Sequence, residues 1–204
     1  LRCSAATARA SLEQLTDRAP DHSHLGELER LVEALESLTE PVIDPAAELR
    51  SLQQQLTPLA EALLGRECQT LLIPLWTRLS QALSAQPFVA EQPELHQSHA
   101  AIQARDWALA RQAVERAPGW QEQPHLIRRR ALACEHLRQP ATALHSWFIL
   151  CWYFPGQASA IQSDSDSELR TQWRNFQELE PELPAEDFPA WPGKYQQSIN
   201  QLCR

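Results

Sequence analysis

The chain has 204 residues, 43% of them hydrophobic and 22% charged, enough to bury a sizeable core and too ordinary in composition for a disordered protein. Its net charge of −8 speaks against nucleic acid, whose phosphates need a concentrated cationic surface. With only 5 Gly, the turns of a β-sandwich or barrel and a phosphate-cradling loop are both out of reach.

Acids prevail over bases in residues 1–67 and 141–204, and bases over acids in 68–140. That basic middle is a local patch for an acidic peptide, or plain solubility. No run of 18 apolar residues occurs, so no membrane span is expected. The five cysteines (Cys3, Cys68, Cys134, Cys151, Cys203) form neither a CxxC nor a framework spacing, which fits a reducing compartment, the cytoplasm. No apolar h-region opens the chain, so a secretory signal is not expected. Met is absent, initiator included, which fits a trimmed chain or a piece of a longer protein.

In chain order, Leu25, Leu28, Val32 and Leu35 make a stripe at helical spacing, with Pro41 just beyond its end. Asp44-Pro45 is an N-cap followed by proline at the first helical position. The helix it opens runs through Leu49, Leu52 and Leu56 towards Gly65, with Thr57-Pro58 inside it as either a fresh cap or a kink. Leu71, Leu72, Leu75, Trp76 and Leu79 carry the next helix, which Pro74 interrupts. Residues 1–85 therefore read as an N-terminal region of three to five helices, and residues 86–204 as a second region.

In the second region two turns superimpose at an offset of 33 residues. Arg105-Asp106-Trp107 is followed by Ala110 and Ala117, and Arg138-Gln139-Pro140 by Ala143, Leu144, Trp147 and Pro155. Small residues correspond as well, Ser98 with Ala131. This pattern, over about residues 92–155, resembles the tetratricopeptide repeat, whose period is about 34 residues. Ser98 and Ala131 stand where the family has Gly, and Ala101 and Cys134 where it has a first-helix aromatic. Generic helical hairpins share part of the pattern. The resemblance implies an all-α fold of antiparallel helical hairpins in a right-handed stack, with additional N- and C-terminal helices.

Residues 147–154 are eight consecutive apolar or aromatic residues, expected to be covered on every side. Beyond them Ser165 and Glu168 read as a capping box opening a helix with Leu169, Trp173 and Phe176, closed by Pro181. Phe188 and Trp191 are placed to pin down the Pro-rich connection that follows. A last helix is expected over about 194–202.

Chemistry finds little support. His96 with His99, and His22 with His24, could each supply two metal ligands, but no third lies near in sequence and no metal site is expected. Cys134-Glu135-His136 diverge around a helix and cannot address one substrate atom. Arg128, Arg129 and Arg130 fan across about 200° at ~100° per residue, so at most two could serve one site. The acids Glu178, Glu180, Glu182, Glu186 and Asp187 read as a solvated face. The expectation is a non-enzyme with no cofactor: a protein-binding scaffold or adaptor. The alternatives are a structural subunit that self-associates through its N-terminal helices and, with no motif behind it, a small-molecule enzyme. Partners would be a protein or peptide, an acidic one suiting the surface, with no nucleic acid and no membrane; a homo-oligomer stays open.

In the tetratricopeptide family the first helix of each hairpin lines the concave face. Carried over by position, that role falls on Leu95, His99, Ile102 and Gln103 in the first hairpin. In the second it falls on His125, Arg128, Leu132, Glu135 and His136. Arg128 would offer its fork to a partner carboxylate. The competing expectation is that the chain's own N-terminal helices or Pro-rich tail fill this groove.

Overall fold

A computed structural model describes residues 5–191, and every regular element among them is helical. The expected last helix over 194–202 lies outside the described residues, as do Cys3 and Cys203. The chain divides into two compact units between Arg105 and Asp106. The boundary expected at 85/86 falls in an irregular segment inside the first unit, because the helix that follows is part of the first core.

The first unit contains α1 (Ala5–Arg18), α2 (Leu25–Glu36), α3 (Pro45–Ser51), α4 (Thr57–Leu64), α5 (Cys68–Ala82) and α6 (Gln97–Gln103). Asp44 caps α3, its Oδ1 accepting from the backbone N–H groups of Ala46 and Ala47 at 2.9 and 3.0 Å. Of the two expectations for Thr57-Pro58, a fresh cap is not what forms: no side-chain cap is made and the helix runs on through a distorted turn. Residues Leu52–Leu56 form a π-helical turn that joins α3 to α4, and the Thr57 N–H bonds to the Leu52 carbonyl five residues back. Pro58 has no N–H for the carbonyl four residues earlier and would clash with it. One wider turn absorbs the conflict and lets the helix continue. Gly65, at φ +52°, ends it.

Pro74 does not interrupt α5, contrary to expectation. Leu71, Leu72, Leu75, Trp76 and Leu79 lie on both sides of it and are all buried. A buried Leu is worth roughly 1.5–3 kcal/mol, so several together outweigh the ~3 kcal/mol cost of one interior proline. Helix α6 packs against α5 and adds Ala100 and Ala104 to the same core.

The second unit contains α7 (Trp107–Arg116), α8 (Pro124–His136), α9 (Pro140–Tyr153), α10 (Ala160–Asp164) and α11 (Ser167–Leu179), then a 3-10 segment, Ala185–Ala190. Helix α8 packs against both α7 and α9. The 33-residue offset recurs in the backbone. Arg105 and Arg138 both sit at φ 58°, in the left-handed region that L-residues rarely enter. The N–H of Ala104 bonds to Ala100 and that of Leu137 to Ala133; likewise Arg105 to Ile102 and Arg138 to Glu135; likewise Ala110 to Asp106 and Ala143 to Gln139. Burial repeats at the same offset: Ser98 with Ala131, Ala101 with Cys134, Val114 with Trp147.

Two further expectations are corrected. The cap of α11 is Asp166, whose Oδ1 accepts from the Leu169 N–H at 2.8 Å, while the Ser165 hydroxyl turns back to donate to the Ile161 carbonyl. The aromatic run at the end of α9 is covered only in part. Trp147, Phe148, Leu150 and Cys151 are buried, but Trp152 and Tyr153 are 49% and 71% exposed and lie outside the second core, which Phe154 rejoins. Phe188 is buried against Phe148, Trp173 and Phe176, and Trp191 meets the Phe176 ring edge-on, so the Pro-rich connection is pinned as its aromatics suggested.

Candidate functional site

Helix α8 carries most of the expected binding residues, and its environment shows what each can do. Arg128, expected to offer its charge to a partner, is already paired with Asp164 at the end of α10. Glu135 is half-buried and accepts a hydrogen bond from Trp147 Nε1 at 2.6 Å. Burial pushes its carboxyl above the usual carboxylate range; the bonds from Trp147 and from the Asp166 backbone N–H pull the other way, and the Asp166 and Asp164 charges push it further up. On this stretch of α8, the chain's own C-terminal elements hold the two charged groups.

Leu132 is half-buried against the second core, and His125 is half-exposed. His136 is exposed and stacks face to face on Trp107 of α7, centroids 3.7 Å apart and planes within 7°. In the first unit, His99 lies edge-on to Trp76 at 5.9 Å with its Nε2 3.3 Å from Gln53 Nε2. Leu95 packs on the first core, Ile102 is half-exposed and Gln103 is exposed.

The remaining candidates for chemistry disperse. His96 is buried and caps α6, its Nδ1 accepting from the Ser98 N–H, while His99 faces Trp76. Arg129 is buried. Arg130 bonds to Glu115 at 3.0 Å and to the Ser146 hydroxyl at 2.8 Å, with its guanidinium 4.8 Å from the Trp120 ring centroid. Cys134, Glu135 and His136 point to a buried core, to Trp147 and to Trp107 respectively, as neighbours on a helix must. Among the described residues no group of three or more His, Cys, Asp or Glu side chains is arranged to hold a metal ion.

No family model, curated protein or solved structure matches this chain. What the site can do therefore rests on its own geometry.

Both units carry clefts. In the first, a cleft of about 610 Å³ opens beside the π turn, between Glu33 of α2, Ser37 just beyond that helix, Gln54 and Gln55 of the turn, and Leu59 of α4. At its edge Arg78 bonds to Ser37 and Glu48. In the second, a cleft of about 630 Å³ lies between α7 and the α8–α9 turn, with Arg111 tied to Glu115 at 2.9 Å and to Gln139 at 2.7 Å. In the first cleft, the Ser37 hydroxyl donates to the Ala34 carbonyl and accepts from Arg78.

Sequence reasoning missed three features here. The Trp107–His136 stack joins positions 29 apart in sequence that no periodicity links. Asp164 and Asp166, which engage α8, read in sequence only as part of a polar stretch. The exposure of Trp152 and Tyr153 depends on what the core covers, a property of packing rather than of a helical pattern.

Proposed function

We propose that the protein is a binding scaffold or adaptor, not an enzyme, built on tetratricopeptide-like hairpins that hold a protein or peptide on the face of their first helices. The observation behind this reading is the register shared by the two turns: paired left-handed arginines, matching hydrogen bonds and matching burial at one offset of 33 residues. Repetition of a hairpin serves stacking, and stacked hairpins work through surface. With Arg128 paired to Asp164 and Glu135 bonded to Trp147, contact with a partner falls to the other members of the expected face. On the second unit these are His125, Leu132 and His136; on the first unit, taken by itself, Ile102 and Gln103 hold the corresponding positions. The buried thiols of Cys68, Cys134 and Cys151 suit a reducing compartment such as the cytoplasm.

The test uses the tagged chain as bait, identifies the protein it retains, and maps hydrogen exchange with and without that protein. Added protection on α8 around His125, with at least a tenfold affinity loss for His125→Glu and none for the exposed control Arg174→Glu, is the expected result. Retention of the chain's own copies alone, or equal losses from both variants, would overturn it.

A further inference from the structure

The end of α9 carries a feature that the scaffold reading does not use. Trp152 and Tyr153 expose 49% and 71% of their surface, unlike the four buried residues that precede them in the same apolar run. Consecutive helical side chains diverge by ~100°, so these rings form two walls rather than one stacked face. Beside Trp152 lies Phe148, its centroid 6.1 Å from that of Trp152 and 6.1 Å from that of Phe188. Phe188 directly follows Glu186 and Asp187, both exposed. The segment that carries the acidic pair packs on α9, with two buried rings, Phe188 and Phe148, between it and the exposed indole.

The stretch that follows Arg174 is acidic in sequence. From Asn175 to Trp191 the chain carries five acids (Glu178, Glu180, Glu182, Glu186, Asp187) and no Lys or Arg. Helix α9 ends at Tyr153, so the aromatic walls flank a helix C-terminus, whose unpaired carbonyls carry partial negative charge. Aromatic faces themselves attract cations, by roughly 0.5–1 kcal/mol at an exposed site. Aromatic surface, carboxylates and a helix C-terminus all favour a positively charged group with an apolar stem, which an arginine side chain supplies.

We propose that the Trp152–Tyr153 surface, together with the acidic Ala185–Ala190 segment packed on the same helix, is a docking site for a basic peptide segment that presents arginine next to aliphatic residues. This surface lies on α9 and not on the α8 residues expected to bind, and its partner has the opposite charge to the one Arg128 was expected to attract. It stands whether or not the scaffold reading does.

The test is fluorescence anisotropy of the full chain with a labelled peptide, Gly-Arg-Leu-Arg-Leu-Arg-Gly, and with its counterpart carrying Glu in place of Arg. The arginine peptide should bind, its affinity falling as salt rises, and the glutamate peptide should not. Trp152→Ala/Tyr153→Ala should weaken binding at least tenfold, and Glu186→Gln/Asp187→Asn at least threefold. His125→Glu, on the α8 face, should leave it unchanged, which separates this site from that one. The acidic pair is exposed, so its substitution reports on the site even where the aromatic variant loses helical signal. Binding of both peptides alike, arginine-peptide binding unmoved by either double variant, or sedimentation showing that a second copy of the chain covers Trp152 and Tyr153 would overturn the proposal.

Discussion

Trp147 combines two kinds of stabilisation in one side chain. Its indole is fully buried between α8 and α9, and its N–H satisfies Glu135. Trp147→Ala should cost about 3–5 kcal/mol. Trp147→Phe, which keeps most of the volume but removes the donor, should cost about 1.5–3 kcal/mol, the range for a hydrogen bond to a charged group. Urea unfolding of both variants checks this; a loss below about 1 kcal/mol for the alanine variant would place the residue outside the seam. Glu135 itself carries a pH signature. Burial raises its carboxyl above the ordinary range, assisted by the charges of Asp166 and Asp164 and opposed by the bonds from Trp147 and the Asp166 N–H. A folded-state pKa raised above the unfolded one gives stability that is complete below the unfolded pKa and lost as pH rises through the folded value. Glu135→Gln keeps an acceptor for Trp147 and cannot ionise. It should therefore gain on the native chain as pH rises above the usual carboxylate range, and the two should converge at acid pH. Denaturant midpoints between pH 4 and 8 measure it, and parallel curves would refute it.

At the scale of elements, the two turns set where the helices begin and end. Asp106 caps α7 by accepting from the Leu109 N–H at 3.0 Å, so Asp106→Ala should cost ~1 kcal/mol. Arg138, exposed in the left-handed region, bears a strain that glycine would not. Arg138→Gly should raise the thermal midpoint, in line with ~1 kcal/mol of relieved backbone strain offset partly by the entropy of the unfolded chain. A lowered midpoint would mean that the arginine side chain contributes more than its backbone costs. The element scale also shows how prolines are read. Pro45 opens a helix as its position in sequence indicates, yet Pro58 and Pro74 sit within helical stretches, one through a π turn and one on the strength of buried leucines on both sides.

For the whole molecule, the all-helical architecture of the described residues predicts a far-UV circular dichroism spectrum with well over half the residues helical. A spectrum requiring a sheet of three or more strands would contradict it. The two units are each organised around their own core, one led by the leucines of α2, α3 and α5, the other by Trp147, Trp173, Phe176 and Phe188.

The sequence by itself determined the helical class, the Asp44-Pro45 start, the end at Gly65 and the correspondence of the Arg105 and Arg138 turns. Periodicity, caps and turn residues act within a few positions of each other, so their effect is written locally. Tertiary structure alone decided that α6 joins the core of α5 rather than opening a separate region, since a short stripe of small residues does not name the helix it packs against. It alone decided that Asp164 reaches Arg128, and that Trp147 turns its N–H to Glu135. Those pairings join separate elements, and a carboxylate in a polar stretch looks the same whether it meets solvent or a guanidinium. The contrast along α9 has the same origin: Phe148 and Trp152 belong to one apolar run, but the aromatic packing around Phe188 covers the first and stops short of the second.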